Sequence, residues 1–313
     1  MTSGEQTGLV VKTQSGFYWV QTPSDLVKCQ LRGTLKQASK KTELCVIGDR
    51  VTIERLPDGT GAIKAIAPRE RVLSRVEPSE YAGTATEREQ VLIANPDQAV
   101  FVASAAQPAP NIRFLDRCLV AAEKAEIPSI AIVLNKIDLV GEDVARAQFT
   151  PYERIGYPVL YVSATAHIGI DALRDLLVAK ISIFTGPSGV GKSSLLNAVQ
   201  PGLGRAVGAV SRRLAKGRHT TVNAEMIALK CGGYVADTPG LRALAPWDVE
   251  PAELDAYFRE FRPYIAECQF SDCTHVAEPG CGVRRALAEG LIAPQRYDSY
   301  LRLHDELDQQ YVY

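Results

Sequence analysis

The sequence predicts a multidomain chain with three parts: an N-terminal OB-fold β-barrel at 1–78, an α/β domain with a parallel sheet at 79–244 and a mostly helical C-terminal module at 245–313. Three observations support this division. Short alternating segments fill the first 75 residues, apolar strands then alternate with helical segments, and a group of cysteines and a histidine follows Trp247. A length of 313 residues, 46% hydrophobic and 23% charged, suits two or three globular domains.

The composition argues against several classes of protein. No run of 18 apolar residues is present, so no membrane span is expected. The first residues lack a basic segment followed by an apolar one, which predicts no secretory signal. Seven cysteines are an odd number and do not suggest a disulfide framework, so a reducing, cytoplasmic setting is expected. Nothing in the pattern suggests more than a monomer.

The N-terminal barrel is predicted from five short segments with alternating apolar residues. Gly and Asp-Gly turns separate them, as expected for a small β-barrel. An OB-fold is the commonest such barrel with a basic loop between early strands, although an SH3-like barrel would give a similar pattern. The segments are GLVVK, GFYWVQT, LVKCQLRG, ELCVIGDRVTIERL and GTGAIKAIA.

The α/β domain follows a polar, turn-rich stretch at 68–97 that is predicted to be a linker. Strands are predicted at QAVFVASA, SIAIVLN, YPVLYVSA and ISIFTG, and helices at PNIRFLDRCLVAAEKAE, GIDALRDLLVAK and KSSLLNAVQ. Apolar strands that alternate with helices indicate a parallel sheet covered on both faces.

A phosphate-binding loop is predicted where the strand ISIFTG meets the next helix. The residues Gly186, Pro187, Ser188, Gly189, Val190, Gly191, Lys192 and Ser193 match the pattern G-x-x-x-x-G-K-[ST], and Ser194 follows. The glycines allow backbone N–H groups to surround phosphate oxygens at a helix N-terminus. Lys192 can reach the β and γ phosphates, and the Ser193 hydroxyl can bind Mg²⁺.

A base-reading segment is predicted at the end of the strand SIAIVLN, at Asn135, Lys136, Ile137 and Asp138. An aspartate can accept two hydrogen bonds from guanine, from N1–H and from the N2 amine, whereas adenine offers no equivalent pair. The Lys136 stem can pack over the base. Ser163 and Ala164, after the next strand, could supply a backbone N–H for the guanine carbonyl.

Two further segments complete a GTP pocket. Asp237 and Gly240 in DTPG are expected to hold Mg²⁺ and to meet the γ-phosphate, respectively. Thr220 and Thr221 in KGRHTT are candidates for the switch threonine, and Thr221 is the one assigned to Mg²⁺. The order along the chain is base, phosphate, switch, which indicates a circularly permuted P-loop GTPase domain. The last switch then lies just before the C-terminal module, and we expect its movement to reach that module.

The catalytic residue is predicted to be a histidine. Ras-like enzymes use a glutamine after the Asp-x-x-Gly motif to orient the attacking water, and Leu241 stands there in this chain. His219 lies in the predicted switch segment and ordinarily titrates near neutral pH, so it could take this role. A surface histidine without a catalytic role is the alternative.

Charge is distributed unevenly along the chain. Residues 245–313 contain 6 Lys and Arg against 13 Asp and Glu, although the net charge of the whole chain is only −1. Two runs without acidic residues are candidates for RNA contact: Lys28, Arg32, Lys36, Lys40 and Lys41 in the first, and Arg205, Arg212, Arg213, Lys216 and Arg218 in the second. A local patch of Arg284, Arg285, Arg296 and Arg302 is also expected within the acidic module.

A metal site is predicted near the C-terminus. Cys268, Cys273, His275 and Cys281 are spaced C-x₄-C-x-H-x₅-C. Three thiolates and one imidazole form a complete tetrahedral set for one structural Zn²⁺, with no position left open.

The ordered motifs together resemble the RsgA/YjeQ family of bacterial, circularly permuted GTPases. The resemblance rests on NKID before GPSGVGKSS before GRHTT before DTPG, on the small barrel and on the C-x₄-C-x-H-x₅-C spacing. It implies binding to the small (30S) ribosomal subunit and its rRNA, a late role in subunit maturation, and hydrolysis of GTP to GDP that the subunit stimulates. It also implies that His219 is catalytic.

Two other classes of function stay open at this point. The chain could be a signalling or transport GTPase that a protein partner activates, with the barrel as a docking module. It could also be a zinc- and RNA-binding scaffold with a vestigial nucleotide pocket, although the intact Lys192, Ser193, Asp138 and Asp237 argue against this.

Overall fold

The N-terminal part of the computed structural model is a closed five-stranded barrel. The structure describes residues 5–36, 44–76, 89–204, 224–236 and 249–311. The barrel strands are β1 (Glu5–Gln14), β2 (Phe17–Gln21), β3 (Leu26–Leu31), β4 (Arg50–Arg55) and β5 (Gly61–Ile66), with the short helix α1 (Gly33–Lys36) after β3. The strand order is β1-β2-β3-β5-β4, and β1 also pairs with β4. A parallel β3–β5 pair together with closure through β1 and β4 confirms the OB-fold and excludes the SH3-like alternative.

The stretch at 68–97 was predicted to be a linker, and this is wrong in part. The strands β6 (Val72–Val76) and β7 (Glu89–Ala94) form an antiparallel pair there. The buried side chains of Leu73 and of residues 91–94 explain the pairing, because β7 ends in a continuous apolar run that faces the core. The polar, turn-rich residues on both sides made this short run inconspicuous in the sequence.

The second part is the predicted α/β domain. Its strands are β8 (Gln98–Ser104), β9 (Ser129–Asn135), β10 (Val159–Tyr161), β11 (Ile181–Thr185), β12 (Ala224–Ala228) and β13 (Tyr234–Ala236). They lie in the order β10-β9-β8-β11-β13-β12, and all neighbours are parallel except β12 and β13. Every residue of β8 and β11 is buried. This agrees with the near-continuous apolar strands of a parallel sheet covered on both faces.

Helices flank this sheet. They are α2 (Ile112–Lys124), α3 (Glu142–Arg154), α4 (Ile170–Leu177) and α5 (Lys192–Val199), and a 3₁₀ turn covers Ile137–Leu139. Asn111 caps α2 by accepting a hydrogen bond from the Phe114 N–H at 3.0 Å. Leu115, Cys118 and Leu119 of α2 pack on the sheet, whereas Val120 belongs to the core of the C-terminal module. One helix therefore contributes to two cores.

The C-terminal module is helical, as predicted. It contains a 3₁₀ helix at Pro251–Tyr257, then α6 (Arg262–Ile265), α7 (Gly282–Ala288) and α8 (Pro294–Tyr311). Its core contains Phe258, Phe261 and Tyr300, and the Phe261 and Tyr300 ring centroids are 4.8 Å apart. None of the helices in the described ranges is long and apolar enough to cross a membrane.

The barrel joins the α/β domain edge to edge. Strand β1 pairs with β12 in the register Lys12 with Glu225 and Thr13 with Ala224, so one sheet of 11 strands runs through both parts. The Lys12 ammonium lies 3.0 Å from the Glu225 carboxylate and 5.3 Å from the centre of the Trp19 ring. Strand β12 begins directly after residues 205–223, which contain His219 and the predicted switch threonines and lie outside the described residues.

Candidate functional site

The phosphate-loop residues lie between β11 and α5, at the carboxyl end of the parallel strands. Gly186 passes so close to β8 that an added Cβ would stand 2.2 Å from the Val102 carbonyl oxygen. Gly191 has φ +96°, and a Cβ there would meet the Asn135 amide nitrogen at 2.3 Å. Both positions therefore require glycine. Ser193 and Ser194 are exposed in the first turn of α5.

Asn135 joins the base segment to the phosphate loop. Its Nδ2 donates to the Val190 carbonyl at 2.8 Å, and its Oδ1 accepts from the Ala164 N–H at 3.1 Å. The side chain is 1% exposed, so both bonds are protected from water. Three segments that are far apart in the sequence therefore meet at one amide. The Ala164 N–H, expected to meet the guanine carbonyl, already has Asn135 as its acceptor.

Two lysines lie along the loop. The Lys136 ammonium donates to the Gly189 carbonyl at 2.7 Å and to the Gln107 carbonyl, with the backbone of Lys136 in a left-handed conformation at φ 65°. The Lys192 ammonium donates to the carbonyls of Gly186 and Pro187 at 2.6 and 2.8 Å. The Gln107 contact was not predicted, because nothing in the segment QPAP points to a neighbour 29 residues away.

A directed chain of hydroxyl groups reaches Asp138. The Ala166 N–H donates to Ser163 Oγ at 3.0 Å, Ser163 Oγ and Thr165 Oγ1 are 3.1 Å apart, and Thr165 Oγ1 lies 3.4 Å from Asp138 Oδ2. A backbone N–H can only donate and an ionised carboxylate can only accept. The polarity is therefore fixed: Ser163 donates to Thr165, and Thr165 donates to Asp138. The sequence reasoning missed Thr165, which lies two residues after the predicted Ser163.

Several predicted site residues lie outside the described ranges: His219, Thr220, Thr221, Asp237 and Gly240, together with the basic residues Lys40, Lys41, Arg205, Arg212, Arg213, Lys216 and Arg218. The segment at 205–223 continues from the described end of α5 and the turn after it, and Asp237 follows directly after β13.

The described basic residues of the barrel differ in their surroundings. Lys28 is exposed on β3, and its ammonium lies 4.0 Å from the centre of the Phe17 ring and 5.9 Å from that of Trp19. Arg32 makes a salt bridge to Glu54 at 3.0 Å, so its charge is partly neutralised. Lys36 closes α1. Lys28 therefore combines a cation with aromatic faces, a combination that suits nucleic-acid bases.

The four predicted metal ligands converge. Cys268, Cys273, His275 and Cys281 place one ligand atom each within 4.8 Å of one another. His275 Nδ1 lies 3.5 Å from Cys268 Sγ and 3.4 Å from Cys281 Sγ, and the two sulfurs are 4.0 Å apart. Ligand atoms on one tetrahedral Zn²⁺ are about 3.5 to 3.8 Å apart, given bonds of about 2.3 Å to sulfur and about 2.0 Å to nitrogen. The residues therefore fit the ion.

Backbone N–H groups donate hydrogen bonds to two of the cysteine sulfurs. The Gly282 N–H donates to Cys268 Sγ at 3.3 Å, and the Arg284 N–H donates to Cys281 Sγ at 3.4 Å at the start of α7. Burial by itself would raise the pKa of the Cys281 thiol, but the Arg284 N–H and the His275 ring outweigh it and lower that pKa. A thiolate is the form that binds zinc.

The C-terminal module attaches to α2 through charged groups. Arg296 is 1% exposed, and its guanidinium contacts the Asp116 carboxylate of α2 and the Glu260 carboxylate at 2.6 Å. The Tyr152 hydroxyl also donates to Asp116, at 2.7 Å. Burial by itself would lower the pKa of Arg296, but the two carboxylates outweigh it and raise that pKa. The expected basic surface patch is therefore wrong for Arg296, which is a buried structural cation.

The rim of this contact is also ionic. Glu123 of α2 accepts from Arg259 Nε at 2.6 Å and from Arg262 Nη2 at 2.8 Å. The Lys124 ammonium lies 2.6 Å from the Glu253 carboxylate of the 3₁₀ helix. Charges of both signs therefore cross this contact, with arginines of the module facing Glu123 and Glu253 of the module facing Lys124.

Comparison with known proteins identifies two family models along the chain. The model described as RsgA N-terminal domain matches residues 7–63, and the model described as RsgA GTPase matches residues 66–247. Among curated proteins, the small ribosomal subunit biogenesis GTPase RsgA of Gemmatimonas aurantiaca is 44% identical over 304 residues, covering 96% of this chain and 97% of that protein. The RsgA of Thermotoga maritima is 39% identical, with 96% of each chain covered.

Solved structures agree with this result. The crystal structure of YjeQ from Thermotoga maritima matches with a TM-score of 0.77 and 35% identity, covering 97% of this chain and 99% of that one. The structure of YloQ, described as a circularly permuted GTPase, matches with a TM-score of 0.74 and 28% identity over 98% and 96% of the two chains. The permuted fold predicted from the motif order is therefore confirmed, and the chain belongs to the RsgA GTPase family.

Proposed function

We propose that this chain hydrolyses GTP to GDP and phosphate on the small ribosomal subunit, and that it assists a late step in the maturation of that subunit. Relatives at 36–44% identity over nearly the whole chain carry the name small ribosomal subunit biogenesis GTPase. In this proposal, residues 1–78 are an RNA-binding barrel, 79–244 the catalytic domain and 245–313 the zinc-binding module. The protein acts in the cytoplasm as a monomer.

The observation that carries the nucleotide site is the position of Asn135. Its two hydrogen bonds tie Val190 of the phosphate loop to Ala164 of the second base loop. Asp138, oriented by Thr165, then accepts from N1–H and the N2 amine of guanine, and the Lys136 stem covers the base. Adenine would leave the carboxylate without a donor pair, so GTP is the substrate.

Hydrolysis follows from groups around the phosphates. The N–H groups of 186–194 surround the phosphate oxygens, and Lys192 exchanges its two carbonyl acceptors for the β and γ phosphates. Ser193, Thr221 and Asp237 would hold Mg²⁺, which offsets negative charge on the β and γ oxygens. His219 orients the attacking water and accepts its proton, the role that Leu241 cannot perform. Gly240 and Thr220 close over the γ-phosphate.

RNA binding is proposed for the basic face of the barrel and the switch segment. Lys28 with Phe17 and Trp19 offers a cation beside two aromatic faces. The remaining contacts are proposed at Arg32, Lys36, Lys40, Lys41, Arg205, Arg212, Arg213, Lys216 and Arg218. Phosphate contacts of this kind place the protein on RNA without reading sequence.

The test is GTP turnover by the full chain, with and without purified small ribosomal subunits. We expect the subunit to raise turnover strongly, because in this proposal its binding places His219 beside the attacking water. The change His219→Ala should lower the stimulated rate by about 100-fold or more and leave the GTP dissociation constant nearly unchanged. No stimulation by subunits would contradict the proposal and favour activation by a protein partner. An unchanged stimulated rate in His219→Ala would remove the histidine from the mechanism.

A further inference from the structure

The two ring nitrogens of His275 face different partners. Nε2 lies 3.0 Å from the Asp255 carboxylate, whereas Nδ1 faces the sulfurs of Cys268 and Cys281. A carboxylate can only accept a hydrogen bond, so the proton of a neutral imidazole is on Nε2. The lone pair is then on Nδ1 and points into the cysteine cluster. The position of Asp255 thus selects the nitrogen that is able to bind a metal.

The environment makes this hydrogen bond costly to lose. The His275 side chain is 1% exposed and packs beside the adjacent rings of Phe261 and Tyr300, whose centres are both 6.1 Å from the imidazole. A buried N–H donor that loses its acceptor cannot bond to water instead, so the loss is destabilising. Asp255 is on the opposite side of the ring from the cysteines, so it is a neighbour of the cluster and not a fifth ligand.

The element that carries Asp255 also touches the α/β domain. The 3₁₀ helix Pro251–Tyr257 presents Glu253 to Lys124 of α2 at 2.6 Å, and two residues later it presents Asp255 to the cluster. Leu254 between them is fully buried in the core of the module. A helix fixed at both carboxylates and at the residue between them has little freedom to shift.

We propose that Asp255 is a positioning residue of the zinc centre, which sets His275 as an Nδ1 ligand and thereby couples metal binding to the docking of the 3₁₀ helix on α2. This inference rests on the zinc site included in the proposed function. Partners of this type, in which a carboxylate holds the second nitrogen of a metal-bound histidine, change metal affinity by about 10–100-fold.

Zinc affinity of the full chain, measured by competition with a chromophoric chelator, tests the proposal. Asp255→Leu should bind zinc about 10–100-fold more weakly than the unaltered chain. Asp255→Asn should stay within a few-fold of it, because the amide oxygen still accepts from Nε2–H. Asp272→Asn is the matched control: it removes an exposed carboxylate from the same cysteine-rich segment and should change nothing.

Hydrogen exchange gives a second readout. Zinc removal should speed exchange at 251–257 and in the last turn of α2 in the unaltered chain. In Asp255→Leu this exchange should be fast already and respond little to zinc. Unaltered affinity in Asp255→Leu, or an equal loss in Asp272→Asn, would overturn the proposal.

The nitrogen that binds the metal can be read without any substitution. The ¹⁵N chemical shifts of His275 in the zinc-loaded chain should indicate a protonated Nε2 and a metal-bound Nδ1, and a metal-bound Nε2 would overturn the proposal even if Asp255→Leu did not fold. Failure of the unaltered chain to bind zinc would instead remove the proposed metal site itself. One bound zinc with no effect of Asp255 would remove only this inference.

Discussion

The α/β domain is joined to its two neighbours in opposite ways. The barrel attaches through a β-ladder between β1 and β12 and through apolar contacts, with Val11 and Ile47 belonging to the core of the α/β domain. The C-terminal module packs its apolar core on Val120 of α2 but attaches mainly through ion pairs, and at their centre Arg296 lies between two buried carboxylates. Both junctions are ordered, but different forces hold them.

The difference matters for what each junction tolerates. A ladder of backbone hydrogen bonds depends weakly on salt, on pH and on any one side chain. Burying a cluster of charged groups carries a large desolvation cost, which the attraction between the charges offsets only while every partner is present. Loss of one partner therefore leaves an uncompensated buried charge. We therefore expect substitutions at the ionic junction with the C-terminal module to lower stability more than a substitution at the barrel junction.

The largest effect is expected for Arg296→Met. The substitution leaves the carboxylates of Asp116 and Glu260 buried without their cation, and it should destabilise the docked module by about 3–5 kcal/mol. The free energy of local opening at 249–311, obtained from hydrogen exchange, measures the loss. Arg302→Met is the control, because Arg302 pairs with Asp298 on the exposed face of α8. Equal opening in both variants would contradict the central role of Arg296.

A smaller, pH-dependent effect is expected for Glu253→Gln. Burial by itself would raise the pKa of Glu253, but Lys124 and the Glu250 N–H outweigh it and lower that pKa. A lowered folded-state pKa stabilises the junction above the unfolded value of about 4.3, and this stabilisation is lost as pH falls through the folded pKa. The pair is partly exposed, so its worth is about 0.3–1 kcal/mol.

Exchange at 251–257 of the zinc-free chain, compared at pH 6 and pH 3.5, provides the measurement for Glu253, because acid would otherwise also release zinc. The unaltered chain should open more at the lower pH, and Glu253→Gln should respond less. Glutamine still accepts from the Glu250 N–H, so the helix cap is retained. Glu289→Gln, at an exposed pair with Arg285, should keep the response of the unaltered chain. The same acid response in Glu253→Gln would show that another group is responsible.

The smallest effect is expected at the barrel junction, for Lys12→Met. The methionine keeps an apolar side chain beside Trp19 but loses the partly exposed pair with Glu225 and the cation–π contact with the Trp19 ring, each worth at most about 1 kcal/mol. Exchange of the β1 and β12 amides should therefore change little, as in the control Lys64→Met within the barrel. A loss above about 2 kcal/mol would show that this junction is electrostatic as well.

Groups that lie close together in the sequence could be predicted to meet. This holds for the phosphate loop, the segment at 135–138 and the cysteine–histidine segment, because each carries several functional groups within a short stretch of chain. The barrel followed from alternation and turns. The strands β6 and β7 were missed because they are short and lie in a polar, turn-rich stretch, although residues 91–94 form a continuous buried run.

Contacts between distant residues could not be predicted from one sequence. Arg296 resembles any surface arginine of a polar helix, and only the fold brings Asp116, 180 residues earlier, against it. The run of residues around Arg32 contains no acid, so the sequence did not indicate its salt-bridge partner. That partner, Glu54, lies on another strand. Asp255 and Thr165 match no motif in the sequence. Asp255 gains its role from His275 Nε2 and Thr165 gains its role from the Asp138 carboxylate, and both partners lie in other segments.

The strand order has a consequence for synthesis of the chain. Within this sheet, strands β8, β9 and β10 are made first; β11 is made later and pairs with the other edge of β8, and β13 is made later still. Until then β8, whose seven residues are all buried in the finished sheet, is an apolar edge without its partner. An incomplete sheet of this kind is prone to aggregation and is a natural target for chaperones. The strand and helix that carry the phosphate loop are thus made after the strand that carries the base segment, so the nucleotide site is complete only once both halves of the sheet are present.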